Sequence, residues 1–131
     1  MIGKRISSNS KFEKLAGFAR AVVLPDPGGD WVLVSGTTGY DYQTYEIAGD
    51  VSGQTRQAFR NIRAALTEAG CTLDDLVRIR VFLARQEDFQ TVARIVGEHC
   101  YSARPANTTV VAALAEPQIL VEIEVTARKP A

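Results

Sequence analysis

The sequence predicts an α+β domain in which a mixed β-sheet carries two helices on one face, with the element order ββαβαββ. Three observations lead there. Several short runs alternate apolar and polar residues, the spacing of strands whose successive side chains point to opposite faces. Two longer stretches instead space their apolar residues at three and four, as amphipathic helices do. Each helical stretch lies between strands, and connections of that length permit crossovers that keep both helices on the same side of the sheet.

The first two strands are the apolar runs FARAVVL, Phe18 to Leu24, and DWVLVS, Asp30 to Ser35. PDPGGD between them is turn chemistry, so the pair reads as a hairpin. A short extra strand fits near Lys4 to Ser7. Ser35 and Gly36 end the second strand, and the polar loop TTGYDYQTYEIAG follows with three tyrosines. A loop of that length is commonly functional or interface-forming, the plainer alternative being that the tyrosines cover the sheet edge. Asp50 has the chemistry of a helix N-cap, and Val51, Phe59, Ile62, Ala65 and Leu66 follow near helical spacing before Gly70 ends the element. In VRIRVFLA, Val77, Ile79, Val81 and Leu83 share one strand face while Arg78, Arg80 and Phe82 share the other. A second helix spans about Glu87 to Tyr101, with Phe89, Val92, Ile95 and Val96 facing inward. The chain ends in two further strands, Asn107 to Leu114 and Gln118 to Thr126, broken by Ala115, Glu116 and Pro117.

At 131 residues and 46% hydrophobic, residues 1–131 make a single domain with enough apolar material for a core. Fifteen basic residues balance fifteen acidic ones, which disfavours a general nucleic-acid binder. No run approaches membrane-spanning length and none resembles a signal peptide, so a cytoplasmic protein is expected. Cys71, Cys100 and the single His99 are too few for a zinc site, and both cysteines read as core or boundary residues.

The last strand sets the functional question. Ile119, Val121, Ile123 and Val125 form its buried face, which leaves Glu122 and Glu124 on the other. Carboxylates in mid-sheet require water or a partner. Arg78, Arg80 and Phe82 pose the same problem on their strand, and opposite charges across a sheet can answer it. With helices on one face only, the other face is expected to meet further copies of the chain. A solvated face with surface acids is the bland alternative.

GFARAVV, WVLVSGTTG, DVSGQTRQAFRNIRAALTEAGCTLDDLVRIRVFL and RPANTTVVAALAEPQILVEIEVTA together resemble the YjgF-like reactive intermediate deaminase (Rid) family, also called L-PSP endoribonucleases. The resemblance covers about Gly17 to Ala127. It implies a chorismate-mutase-like fold, a homotrimer with three small-molecule clefts between subunits, and hydrolysis of enamines or imines with no cofactor and no metal. Carried over residue by residue, Ser35, Gly36 and Glu122 match the family's site. The carboxylate-binding arginine falls on Asn107, the cysteine two positions later on Thr109, and the first strand's tyrosine on Phe18.

Arginine grips a carboxylate through two parallel charged hydrogen bonds, and asparagine has no such fork. A typical 2-imino acid therefore loses its anchor here. Arg80 is the better replacement candidate, on the same face as Glu122, although an ion pair with Glu122 or Glu124 would occupy it. Arg104 is the weaker one, since it precedes the strand. Glu122 is the candidate catalytic residue, able to activate water and return a proton if its pKa is raised. Phe18, Ser35, Gly36, Arg80, Asn107, Thr108 and Thr109 are the candidate ligand contacts, backbone donors near Gly36 and Thr108 among them. The leading hypothesis is a cofactor-free deaminase of a small imine, enamine or related C–N compound. The alternative is a trimer that binds a metabolite without turnover. Ribonuclease activity is disfavoured by the neutral charge and the lack of a histidine pair.

Overall fold

A computed structural model describes residues 1–131. Six strands, β1 (Lys4–Ile6), β2 (Ala21–Leu24), β3 (Trp31–Thr38), β4 (Leu76–Leu83), β5 (Ala106–Val111) and β6 (Val121–Arg128), form one sheet in the order β1-β2-β3-β6-β4-β5. The pairing is antiparallel except between β4 and β5, which run parallel. Helix α2 (Val51–Ala69) connects β3 to β4 and α3 (Phe89–Cys100) connects β4 to β5, as the alternation of strand and helix patterns requires. A short helix, α1 (Lys11–Ala16), precedes β2. No helix is long and apolar enough to cross a membrane.

Local chemistry explains each helix boundary. Asp50 caps α2 by accepting the Gly53 amide, and Gly70 closes it in the left-handed conformation (φ 82°), where a Cβ would be strained. Ser10 caps α1 through its hydroxyl, and Gly17 ends it in the same left-handed way. Without a long apolar stripe, the six residues of α1 escape detection by periodicity. The α3 helix begins two residues later than expected because a 3-10 turn, Gln86–Asp88, precedes it. Phe89 consequently sits at the rim, 50% exposed, while Val92, Ile95 and Val96 enter the core.

The core lies between the helices and one sheet face. Phe59, Ile62 and Leu66 of α2 and Val92 and Ile95 of α3 pack on Ile79, Val81, Leu83, Val121, Ile123 and Val125. Cys71 and Cys100 belong to it, and burial pushes each thiol pKa up to about 11. Two strand details depart from the expected pattern. A register shift between Leu76 and Arg78 puts Leu76 in the core and leaves Val77 exposed. The last two strands, β5 and β6, do not pair with each other: β6 inserts between β3 and β4, while β5 takes the sheet edge. Alternation identifies a strand but is silent about its neighbours.

Two of the three loop tyrosines do more than cover an edge. Tyr40 and Tyr42 are buried with Ile119 in a second small core, and the Tyr40 hydroxyl bridges Glu116 and Gln118 at 2.7 Å each. Gln54 of α2, 1% exposed, ties the same region together. Its amide nitrogen donates to the carbonyls of Ala48 and Gln118 at 2.8 and 2.9 Å, and its amide oxygen accepts from Leu120 N at 2.8 Å. Gln54→Ala would leave these buried groups unpaired, so we expect a loss of about 2–4 kcal/mol in urea denaturation. Arg56→Ala, which breaks an exposed ion pair between α2 and Glu98 of α3, should have a much smaller effect. Equal losses would contradict this account.

Candidate functional site

The sheet face away from the helices is uncovered. Cross-strand partners share a face, which gives three rows. Glu122 of β6 lies opposite Thr38 of β3 and Phe82 of β4, and Phe82 lies opposite Val110 of β5. Glu124 lies opposite Arg80, which lies opposite Thr108. In the third row Val22, Leu33, Thr126 and Arg78 adjoin one another. Leu33 and Val110 are 43% and 40% exposed, so apolar side chains remain open on this face.

Glu122 is a half-buried carboxylate of that surface. A register shift between Val34 and Thr37 of β3 bulges the strand at Ser35 and Gly36 beside it. A Cβ on Gly36 would overlap Glu122 Oε1, so glycine leaves the space the carboxylate fills. The Ser35 hydroxyl donates to Ala19 O at 2.7 Å and its amide to Arg20 O at 2.9 Å, tying the bulge to the chain entering β2. Burial raises the Glu122 carboxyl pKa above its ordinary value, with Arg20 opposing the rise and Glu124 adding to it.

Arg20 was not among the residues singled out by sequence, where it reads as one polar position in an apolar strand. It is 3% exposed. Its Nη1 donates to Gly36 O at 2.8 Å and to Thr37 Oγ1 at 3.1 Å, and its Nε lies 3.7 Å from Glu13 Oε2. The guanidinium covers the rings of Tyr42 and Phe18, 4.6 and 5.6 Å from their centroids. A lone arginine in an apolar run was the available signal, because a charge there needs a specific partner.

Phe18, Ser35, Gly36 and Glu122 are thus linked through Arg20 within one chain. Arg80 and Thr108 share the Glu122 face but lie farther along it, and Arg80 is occupied by Glu124 at 3.0 Å. A shallow depression of about 250 Å³ beside this pair is lined by Val22, Leu33, Ser35, Arg80 and Glu124 and stops short of Glu122. Asn107 and Thr109 lie elsewhere. They are register partners of Ile79 and Val81, which places them on the helix-covered side of the edge strand. The Thr109 hydroxyl donates to Asn107 Oδ1 at 3.0 Å, so the amide NH2 is what Asn107 can present to a ligand. Arg104 stands in the loop before β5 with φ 52°, its guanidinium 5.3 Å from the Tyr101 ring centroid.

A cavity of about 490 Å³ lies between α2, the Ser7–Asn9 segment and the Asp41–Gln43 loop. It meets the residues above at Arg20 and Tyr42 but does not reach Glu122, and chemistry favours the sheet face, where a perturbed carboxylate stands on an uncovered surface. No three His, Cys, Asp or Glu side chains come together in a set that could ligate a metal ion.

Comparisons agree with this architecture. Residues 9–129 match the family described as Endoribonuclease L-PSP. An uncharacterised protein of Streptomyces coelicolor is 36% identical over 98% of this chain and 93% of its own. A 2-iminobutanoate/2-iminopropanoate deaminase of Dermatophagoides farinae is 31% identical over 73% of this chain and 76% of its own. Among solved structures, a Mycobacterium tuberculosis member of the YjgF/YER057c/UK114 family superposes with a TM-score of 0.83 at 36% identity, covering 95% of this chain and 98% of that one. The YjgF gene product of E. coli superposes with a TM-score of 0.78 at 28% identity, with the same coverage. The fold, the match over nearly the whole chain and these relatives establish that the chain belongs to the YjgF/Rid family of L-PSP endoribonuclease-like domains.

Proposed function

We propose that the protein is a homotrimer with small-molecule clefts between subunits, in which Glu122 hydrolyses a small imine, enamine or related C–N compound without a cofactor. The observation that carries this reading is the half-buried Glu122 carboxylate, seated against Gly36 with its pKa raised, on a sheet face that nothing in the chain covers. Asn107 and Thr109 lie on the reverse side of the edge strand, so a second copy is the means by which they could face a Glu122. The deaminase name of the Dermatophagoides relative supports the reaction class.

In the proposed reaction the Glu122 carboxylate accepts a proton from water as the oxygen attacks the imine carbon. That proton passes to nitrogen to give the neutral carbinolamine; the carboxylate then takes the carbinolamine's hydroxyl proton and delivers it to nitrogen as the C–N bond breaks, releasing a carbonyl compound and ammonia and restoring the carboxylate. A raised pKa makes the carboxylate a stronger base towards the water proton. Asn107 lacks a charged fork, and its free NH2 suits an uncharged acceptor oxygen better than a carboxylate. The substrate is therefore neutral at the position where relatives with arginine hold an acid group.

Assays of ammonia release from imines generated in situ test this reading. Uncharged imines should be turned over faster than 2-iminobutanoate or 2-iminopropanoate, and Glu122→Gln should lower the rate about 100-fold. Asn107→Arg should raise 2-imino acid turnover about tenfold or more. Full activity in Glu122→Gln would remove the carboxylate from the mechanism, and binding without turnover would favour a metabolite-binding trimer.

The protonation of Glu122 also bears on stability. A carboxyl with a higher pKa folded than unfolded binds protons more tightly in the native state, so stability falls as pH rises through the interval between the two values. The penalty is complete above the folded value and absent below the unfolded one, about 4.3. Glu122→Gln is accordingly expected to be more stable than the wild type in urea at pH 7, with the advantage vanishing near about pH 4. A less stable variant at pH 7 would show that the ionised carboxylate contributes net attraction.

A further inference from the structure

We propose that Arg20 is the positioning residue of Glu122: from behind β3 its guanidinium fixes the Ser35–Gly36 bulge on which the carboxylate rests and supplies the positive charge that faces it. The inference deepens the reading of Glu122 as the reacting group and rests on geometry independent of any substrate.

Four contacts define the role. Nη1 of Arg20 bridges the carbonyl of Gly36 and the hydroxyl of Thr37, the two residues at which the strand leaves its bulge and resumes pairing with β6. That carbonyl belongs to the glycine whose missing side chain makes room for Glu122 Oε1. Tyr42 lies against the guanidinium and its hydroxyl accepts from Thr38 N at 3.2 Å, so the segment just after the bulge is held from both sides. Glu13 of α1, 5% exposed, faces the Nε edge, and its carboxylate is itself held by the hydroxyls of Ser7 and Ser8 and by Ser8 N. The pair is a buried ion pair, and such pairs hold one arrangement because either charge alone is costly.

The charged and titratable groups facing Glu122 are few. Arg20 stands before β2 and Glu124 two residues along β6, while Arg80 of β4 is paired to Glu124. Thr38 and Gly36 of β3 and Phe82 of β4 bring no charge, and Tyr42 lies beyond Arg20. Arg20 is thus the cation that acts on Glu122 directly. With its charge removed, desolvation and Glu124 are left unopposed, and the carboxyl should hold its proton to higher pH.

The test is the titration of Glu122, followed by carboxyl carbon NMR in the full-length protein. Arg20→Gln alone would strand the Glu13 carboxylate and endanger folding, so the informative variant is the neutral pair Glu13→Gln with Arg20→Gln. We expect its Glu122 midpoint to move to higher pH than in the wild type, because the charge that opposes the rise is gone. Glu13→Gln alone retains the arginine, which keeps its bonds to Gly36 O and Thr37 Oγ1 and its place against the Tyr42 ring, and should not raise it. An unchanged midpoint in the double variant, or an equal rise in Glu13→Gln alone, would overturn the assignment. A rise confined to the double variant, in a protein that hydrolyses no imine, would uphold the role of Arg20 while removing the functional reading.

Discussion

Two long helices can cover one side of a six-stranded sheet, and every other feature of this molecule answers to that asymmetry. The covered side is filled by branched aliphatic residues at alternate positions of β3, β4 and β6, and it supplies the main core. The uncovered side carries Leu33, Phe82 and Val110 beside Arg80, Glu122 and Glu124. Burying apolar area on one face while leaving it wet on the other is unfavourable, and association between copies is the ordinary physical remedy. The depression beside Arg80 and Glu124 on that side stops short of Glu122 in one chain. The proposed cleft needs a second surface.

The carboxylate depends on a local break in regularity. A bulge in β3 brings Gly36 against Glu122, and glycine is required because any side chain would occupy the same space. Arg20 holds the bulge from behind, α1 holds Arg20 through Glu13, and Gln54 with Tyr40 fixes the loops on either side. Polar residues with buried, specific partners therefore cluster around the one acid with a raised pKa on the open face. Such clustering is what a chemically tuned site requires, since a loosely held carboxylate would relax into water and recover its usual pKa.

Much of this was readable from residue order. Period-two alternation located the strands, three-and-four spacing with Asp50 and Gly70 located α2, and the motif resemblance identified the family. Sheet order was not readable, because the pattern of β6 would be identical beside β5 or between β3 and β4. The bulge in β4 was hidden for a related reason: Leu76 and Val77 are both apolar, so the sequence does not say which one turns inward. Around the candidate site, Glu122, Ser35 and Gly36, which the structure brings together, were named from residue order, whereas Arg20 and Glu13 were not. Their partnership joins residues on different elements, one of them a helix too short for its periodicity to register. That Asn107 and Thr109 face away from Glu122 follows from the parallel register of β5 on β4, which only the three-dimensional arrangement reveals.

The measurement that reaches the central claim most directly is the solution mass of the purified chain by sedimentation equilibrium. An open sheet face completed by copies predicts a single species of three times the 14.3 kDa chain mass, persisting on dilution to micromolar concentration. A folded monomer at the same concentrations would leave Glu122 and the apolar side chains of that face in water, and would contradict the account at its foundation.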